Sequence, residues 1–260
     1  MTVSDYEFIG KTCASIGIRR FKISGGEPLL REDIVEIVRV LSPVSEDISI
    51  TTNGVLLDRY VDSLRSAGLN RLNVSVHTLD RCKYRYITGR DLLEKVLDNV
   101  LTASKAGFRQ VKINAVVTKL NYEDIPSLIR FCREHGLSLQ LIELMPIGIS
   151  RALFESLHVP LLDVMHKLVS KARDLRIRED LHNRPVLYID DVAIELVMGV
   201  NNVEFCRGCR QIRLTSDGKL RGCIYRPFEI DVLDLVKRRD SEGLLSAIRE
   251  IRKMWTPMWR

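Results

Sequence analysis

Three cysteines near the C-terminus, Cys206, Cys209 and Cys223, stand in a C-x2-C-x13-C pattern. Two thiolates separated by two residues can converge on one metal centre. Between Cys209 and Cys223 the chain reads as a hairpin, with Ile212 and Leu214 on one strand, Leu220 on the other and a Ser216-Asp217-Gly218 turn. A hairpin returns Cys223 to the first pair, so three thiolates face one point with no obvious fourth protein ligand. A structural zinc is normally closed by four ligands, whereas an iron–sulfur cluster held by three keeps one iron free. Spacing leaves both open, including a zinc completed by a distant His or by water.

A second set of reactive residue types lies in the first half, at the ends of apolar runs: Ser24-Gly25-Gly26-Glu27-Pro28, Thr51-Thr52-Asn53-Gly54, Ser75, His77, Asn114, Glu143 and Met145. The elements that must position them repeat one grammar of amphipathic helix, glycine and short strand. Gly17, Gly68, Gly107 and Gly136 end helices, where the backbone often needs positive φ. Strands are expected at Phe21–Ile23, Ile48–Ile50, Leu72–Val76, Val111–Val116 and Leu139–Ile142. Ile34, Ile37, Val38 and Leu41 mark a helix with one buried face, as do Leu92, Val96, Val100 and Leu101.

Alternating helices and strands imply right-handed βαβ units, a parallel sheet and an α/β fold class of barrel type, with ligands at the C-terminal strand ends. After Gly148 the regularity stops. A helix is expected over Val159–Ala172, strands at Val186–Ile189 and Val192–Leu196, then the cysteine hairpin and a helix over Glu242–Met254. The expected division is residues 1–148, a partial (β/α) barrel, and 149–260, an α+β extension packed against it.

The chain has 260 residues and a formal net charge of +6. That excess suits a phosphate-bearing ligand, yet no nucleic-acid-binding motif accompanies it, so nucleic acid is not an expected partner. No run is long and charge-free enough to span a membrane, and no secretory signal opens the sequence. A cytoplasmic protein is expected. In a reducing cytosol the bunched cysteines favour metal over disulfides, and Cys13 and Cys132 fall in helix-like segments as packing residues.

The run Arg20–Leu29, with Ser24-Gly25-Gly26-Glu27-Pro28 at its centre, resembles the stretch after the first strand of radical S-adenosylmethionine (SAM) enzymes. Thr51-Thr52-Asn53-Gly54, Asn73-Val74-Ser75, Ile87-Thr88-Gly89, Val111-Lys112-Ile113-Asn114 and Ile142-Glu143-Leu144-Met145-Pro146 resemble, in order, the GTP 3′,8-cyclase family of that superfamily. Phe205–Cys223 is similar to that family's substrate-side cluster motif. The resemblance implies that Cys206, Cys209 and Cys223 hold an auxiliary [4Fe–4S] cluster whose open iron meets guanine. It implies SAM contacts at Gly26, Glu27, Ser75, Asn114 and Met145, and GTP contacts at Lys22, Thr51, Lys112, Gln211, Ile212 and Arg213. Without the resemblance Lys112 reads as a solvent-reaching strand lysine and Met145 as core.

The implied reaction is the first step of molybdenum-cofactor biosynthesis. A 5′-deoxyadenosyl radical abstracts hydrogen from C3′ of GTP, and the carbon radical closes on guanine C8. The implied pathway neighbour is a cyclic pyranopterin monophosphate synthase; the reductant is unknown and a homodimer is an option. Another radical SAM enzyme with an auxiliary cluster, or a non-catalytic nucleotide- or zinc-binding relative, is the alternative.

The sequence departs from the family in several places. The C-x3-C-x2-C loop that carries the SAM-cleaving cluster does not occur in these residues. The expectation is a truncated chain lacking its first barrel strand, inactive alone, with the second [4Fe–4S] cluster only in a full-length form. Gln211 follows Arg210 where Asn-Arg is usual, His77 replaces an Asp, and Gln140 stands where Arg is common. The last residues, Trp255–Arg260, lack a Gly-Gly tail.

Overall fold

In Gln110-Val111-Lys112-Ile113-Asn114-Ala115-Val116-Val117, polar and apolar residues alternate over the first six positions, the pattern of a strand with two unlike faces. In the computed structural model, which describes residues 1–255, this run is the centre of a mixed sheet. Its strands are β1 (Arg20–Ile23), β2 (Asp47–Thr52), β3 (Arg71–Ser75), β4 (Gln110–Val117), β5 (Ser138–Glu143), β6 (Asp174–Arg178), β7 (Arg184–Ile189) and β8 (Val192–Val197). The order is β1-β2-β3-β4-β5-β8-β7-β6. The first five strands and β8 run parallel, and β7 and β6 add antiparallel at the far edge. Because β8 pairs directly with β5, residues on both sides of Gly148 share one sheet.

The helices are α1 (Val3–Ser15), α2 (Ile34–Leu41), α3 (Val61–Ser66), α4 (Arg81–Thr88), α5 (Leu93–Lys105), α6 (Ile125–Glu134), α7 (Arg151–Leu157), α8 (Leu161–Val169), α9 (Val203–Arg207), α10 (Leu233–Lys237) and α11 (Ser241–Lys253). Ile34, Ile37, Val38 and Leu41 of α2, Val96 and Val100 of α5, and Leu128 and Cys132 of α6 are buried in one core with Ile48, Ile50, Leu72, Val74, Ile113, Leu139 and Leu141 of the sheet. The helix expected over Val159–Ala172 begins later, at Leu161. Pro160 is its N-cap, and a residue preceding proline is pushed out of the helical region. No described helix is long and apolar enough to cross a membrane.

The opposite face of the sheet is polar. Register places Lys22 beside Ser49, Thr51 beside Asn73, Asn73 beside Lys112, Ser75 beside Asn114, Asn114 beside Gln140, and Gln140 beside Glu195. Paired residues point to the same side. One row of hydrophilic side chains therefore crosses the sheet from β1 to β8. The edges curl towards each other around this face, since Arg20 of β1 reaches Asp180, just past β6, at 2.7 Å. The result is a trough with a polar floor.

A second, smaller core forms under a three-stranded sheet of β9 (Arg213–Leu214), β10 (Lys219–Arg221) and β11 (Glu229–Asp231). Leu220, Val232, Val236, Leu244 and Ile248 make its centre, with Phe8, Ile9 and Cys13 of α1 packed against it. The first helix is thus part of the C-terminal hydrophobic core. Asp5 fastens it there: its carboxylate closes a capping box with Thr2 and accepts from Lys237 Nζ at 2.6 Å and Arg239 Nη1 at 2.9 Å. Those cations, acting with the cap against the effect of burial, hold its carboxyl well below the usual range.

Candidate active site

Glu195 is the electrostatic centre of the trough. It is 3% exposed, and its carboxylate pairs with Lys112, with Arg184 Nη1 at 2.9 Å and with Arg178 Nη1 at 3.3 Å. Burial alone would raise its pKa, but Lys112 and Arg184 outweigh that and hold it at about 2. Burial lowers the proton affinity of Lys112 and Arg184, and Glu195 offsets part of the loss in each. Lys22, on β1, adds another cation. Solvent reaches its ammonium from the trough, yet protein crowds it on most sides, and this crowding, then Arg184 and Lys112, pushes it down to about 8. Three cations thus contact one carboxylate with Lys22 nearby, and although Arg178 also reaches Asp180 at 3.4 Å, the positive charge left over is suited to an anionic group.

Lys112 and Glu195 line a cavity of about 460 Å³ at the N-terminal end of β4, β5 and β8, together with Arg176 and Arg178. Arg184 lines a second cavity, of about 110 Å³, that contains the cysteines. The Glu195–Arg184 pair stands between the two. Along the trough floor, Thr51 Oγ1 and Asn114 Oδ1 are buried without hydrogen-bond partners. Buried polar atoms are rarely left so unless water or a ligand meets them.

At the C-terminal ends of the strands, Gly25 and Gly26 leave open space where a Cβ would sit, and Gly25 has φ +137°. A ligand can approach the backbone there. Glu27 is engaged within the protein. It accepts from Leu29 N at 3.0 Å, Thr52 Oγ1 at 2.6 Å and Asn53 N at 2.7 Å, tying the end of β1 to that of β2. His77 Nδ1 accepts from Val116 N at 3.1 Å, bridging β3 and β4. Glu143 closes β5 onto the later chain through His158 Nε2 at 3.1 Å and Val200 N at 3.0 Å. The loop that follows carries Met145 into the wall of the cysteine cavity. Met145 packs so tightly on Gly199 that a Cβ there would collide with its Cε.

Cys206, Cys209 and Cys223 all line the smaller cavity. Cys206 lies in the last turn of α9 and is buried; the other two are half-buried. Cys223 follows β10, whose pairing of Leu220 with Leu214 and Arg221 with Arg213 returns it to the first pair. As placed, no three His, Cys, Asp or Glu side chains among the described residues close into a ready metal-binding group. The thiols face a common space rather than meet at a point. The donor set nonetheless suits a thiolate-held cluster: three sulfurs, no carboxylate in the wall, and a Tyr225 N–H donated to Cys223 Sγ at 3.4 Å. Gln211 and Arg213 line the cavity, with Arg213 Nη2 donating to Gln211 Oε1 at 3.0 Å. Ile212, between them, turns its side chain into the second core.

Four residues of this site are absent from the set expected from sequence: Glu195, Arg178, Arg184 and His182. Burial, then the Arg184 guanidinium, push His182 down to about 4, with Gln211 and the Phe205 carbonyl pulling the other way, so the ring is neutral near pH 7. Cys82 is exposed on α4, away from this cavity. The tail 256–260 lies outside the described residues.

Comparison with known proteins fits this geometry. Residues 2–132 match the radical SAM superfamily and residues 137–256 match Molybdenum Cofactor Synthesis C. The structure of Streptococcus suis SuiB bound to S-adenosylmethionine superposes with a TM-score of 0.63 over 96% of this chain and 60% of that one, at 20% identity, a likeness of fold. The chain belongs to the radical SAM superfamily. A probable GTP 3′,8-cyclase of Pyrobaculum aerophilum is 40% identical over 96% of this chain and 82% of its own length. Another, from Methanothermobacter thermautotrophicus, is 37% identical over 99% and 87%. The chain belongs to the GTP 3′,8-cyclase family.

Proposed function

We propose that this protein serves the radical SAM-dependent cyclisation of GTP to 3′,8-cyclo-7,8-dihydro-GTP, the first step of molybdenum-cofactor biosynthesis. The observation that carries the reading is the cation surplus around Glu195. Lys112, Arg178 and Arg184 contact Glu195 with Lys22 close by, Asp180 offsets only part of that charge through Arg178, and a triphosphate supplies the missing negative charge. In this reading Lys22, Thr51 and Lys112 take GTP from the trough, and the Gln211-Ile212-Arg213 stretch takes it from the hairpin, Ile212 through its backbone. Thr51 Oγ1, buried and unpartnered, offers a hydroxyl to the nucleotide.

S-adenosylmethionine lies at the strand ends, against Gly26, Ser75, Asn114 and Met145. Gly26 leaves room for it and Asn114 Oδ1 lacks a partner. Glu27 shapes the adjoining turn, and the lone pairs its three bonds leave are available to an amino group. Cys206, Cys209 and Cys223 would hold an auxiliary [4Fe–4S] cluster. Bound SAM and iron–sulfur clusters supply the one-electron chemistry. The protein's own work is to neutralise phosphate, fix the ribose and base relative to SAM, and exclude water. We divide the chain at residue 148 into a barrel-type part and a cluster-bearing part. A partial barrel is our reading of the trough.

These residues contain no C-x3-C-x2-C loop, so binding tests the reading rather than turnover. Anaerobic reconstitution should give about four irons and four sulfides per chain, and calorimetry should show GTP binding that Lys112→Met weakens by tenfold or more. One zinc without sulfide, or GTP binding no tighter than millimolar, would refute it.

A further inference from the structure

Tyr225 follows the last cysteine by two positions and has no role in the ligand set above. It lines the cysteine cavity beside Cys206, Cys209, Cys223 and Met145. Its backbone N–H donates to Cys223 Sγ at 3.4 Å, and its hydroxyl donates to Gly199 O at 2.9 Å. Ile224, between Cys223 and Tyr225, is 45% exposed, whereas the Tyr225 side chain turns back into the cavity wall.

Gly199 belongs to the connection from β8 to α9, the segment that delivers Cys206. Residues 198–202 make up this connection, and it is held at successive positions. Val200 N donates to Glu143 Oε2 at 3.0 Å. Asn201 has φ 50°, in the left-handed region, and Asn202 caps α9 by accepting from Phe205 N at 3.0 Å. A Cβ on Gly199 would lie 2.4 Å from Met145 Cε and 3.2 Å from the Tyr225 hydroxyl, so only glycine lets the loop sit against both side chains. Cys223 arrives separately, just past β10. The pairing of β9 with β10 ties the two cysteine-bearing segments together at the hairpin. The Tyr225 hydroxyl ties them a second time, beside Glu143 and Met145 at the end of β5.

We propose that Tyr225 is the positioning residue of the cysteine site. Its hydroxyl fixes the loop leading to Cys206 relative to Cys223, and the same anchor keeps the Tyr225 N–H on Cys223 Sγ. This rests on the reading above that the three cysteines hold an iron–sulfur cluster. A hydrogen bond donated to a cluster sulfur draws electron density from it and favours the reduced state, so the anchor raises both retention and reduction potential. Groups that orient ligands in this way contribute roughly tenfold to a hundredfold in metal affinity.

The test uses the full chain reconstituted anaerobically with iron and sulfide, compared with Tyr225→Phe, which keeps the ring and removes the hydroxyl. Transfer of cluster iron to a chelator, followed by the loss of visible absorbance, should become about tenfold faster or more. A reductive titration followed by electron paramagnetic resonance should place the variant's cluster at a lower potential than that of wild type. Melting curves of the metal-free proteins identify folded variants. Tyr225→Met, which also lacks a donor and adapts to an irregular wall, replaces a Tyr225→Phe protein that fails to fold and carries the same two expectations. A folded variant that releases iron at the wild-type rate, or that keeps the wild-type potential, overturns the proposal. Wild type that takes up zinc without sulfide, or no iron, would instead overturn the cluster reading on which it rests.

Discussion

Glu195→Gln removes one charge and keeps the shape, which isolates the electrostatics of the trough. The carboxyl is held at about 2 instead of its ordinary 4.5. At about 1.4 kcal/mol per pH unit this corresponds to roughly 3 kcal/mol of stability at neutral pH. That agrees in size with the ~3–5 kcal/mol cost of leaving a buried charge without its partner. A melting entropy of about 2.1 cal/mol/K per residue makes it a fall of roughly 6 °C in Tm for a chain of this length.

The sign with pH follows from the direction of the shift. A depressed carboxyl contributes its full stability above the unfolded value of 4.5 and loses it as pH falls towards 2. At pH 3.5, one pH unit below the unfolded value, the contribution is smaller by roughly 1 kcal/mol, so the gap between wild type and variant should narrow clearly. Thermal unfolding followed by circular dichroism at both pH values measures this directly. The variant also leaves Lys112, Arg184 and Arg178 uncompensated, so inorganic triphosphate should raise its Tm by more than it raises that of wild type. A gap under 2 °C at pH 7, a gap equally wide at pH 3.5, or equal stabilisation by triphosphate would refute Glu195 as the balancing charge of the site.

Asp5→Asn should cost about 2 kcal/mol, because it weakens charge-assisted bonds to Lys237 and Arg239 whose half-exposed cations can rehydrate; an unchanged urea midpoint would show that the first helix is not held this way. That loss should fade as the solution is acidified below the ordinary carboxylate range, since the native Asp5 carboxyl is depressed and its contribution disappears on protonation. Gly199→Ala should displace Met145 and cost about 1–3 kcal/mol by overpacking, and S-adenosylmethionine binding by equilibrium dialysis should weaken several-fold; full affinity would remove Met145 from that site. Lys22, with its pKa near 8, should make triphosphate binding fall as pH rises from 7 to 9; Lys22→Arg should flatten that profile, and an equally steep profile in the variant would assign the titration elsewhere.

Much of this architecture is legible because local pattern encodes it. Residues 110–115 announce a strand with two faces, and the five parallel strands expected from such runs all occur, each starting one residue earlier than expected, with β3 ending one residue sooner, at Ser75. The cysteine hairpin was readable from its turn residues. What local pattern does not encode is which face of a strand looks into a cavity. In Val192-Ala193-Ile194-Glu195-Leu196, the alternation equally describes a strand whose glutamate faces water, the commoner case. Only the pairing of β8 with β5 puts Glu195 in register with Gln140 and, through the curl of the sheet, against Lys112. Arg184 and His182 are hidden for a related reason. His182 lies in, and Arg184 directly follows, a left-handed turn that makes sense only once docked on Gly208, a contact across 26 positions in sequence from residue 182. The family motifs mark atoms that a shared ligand set would touch. The residues that balance charge, Glu195 and its partners, come from topology, which sequence motifs do not record.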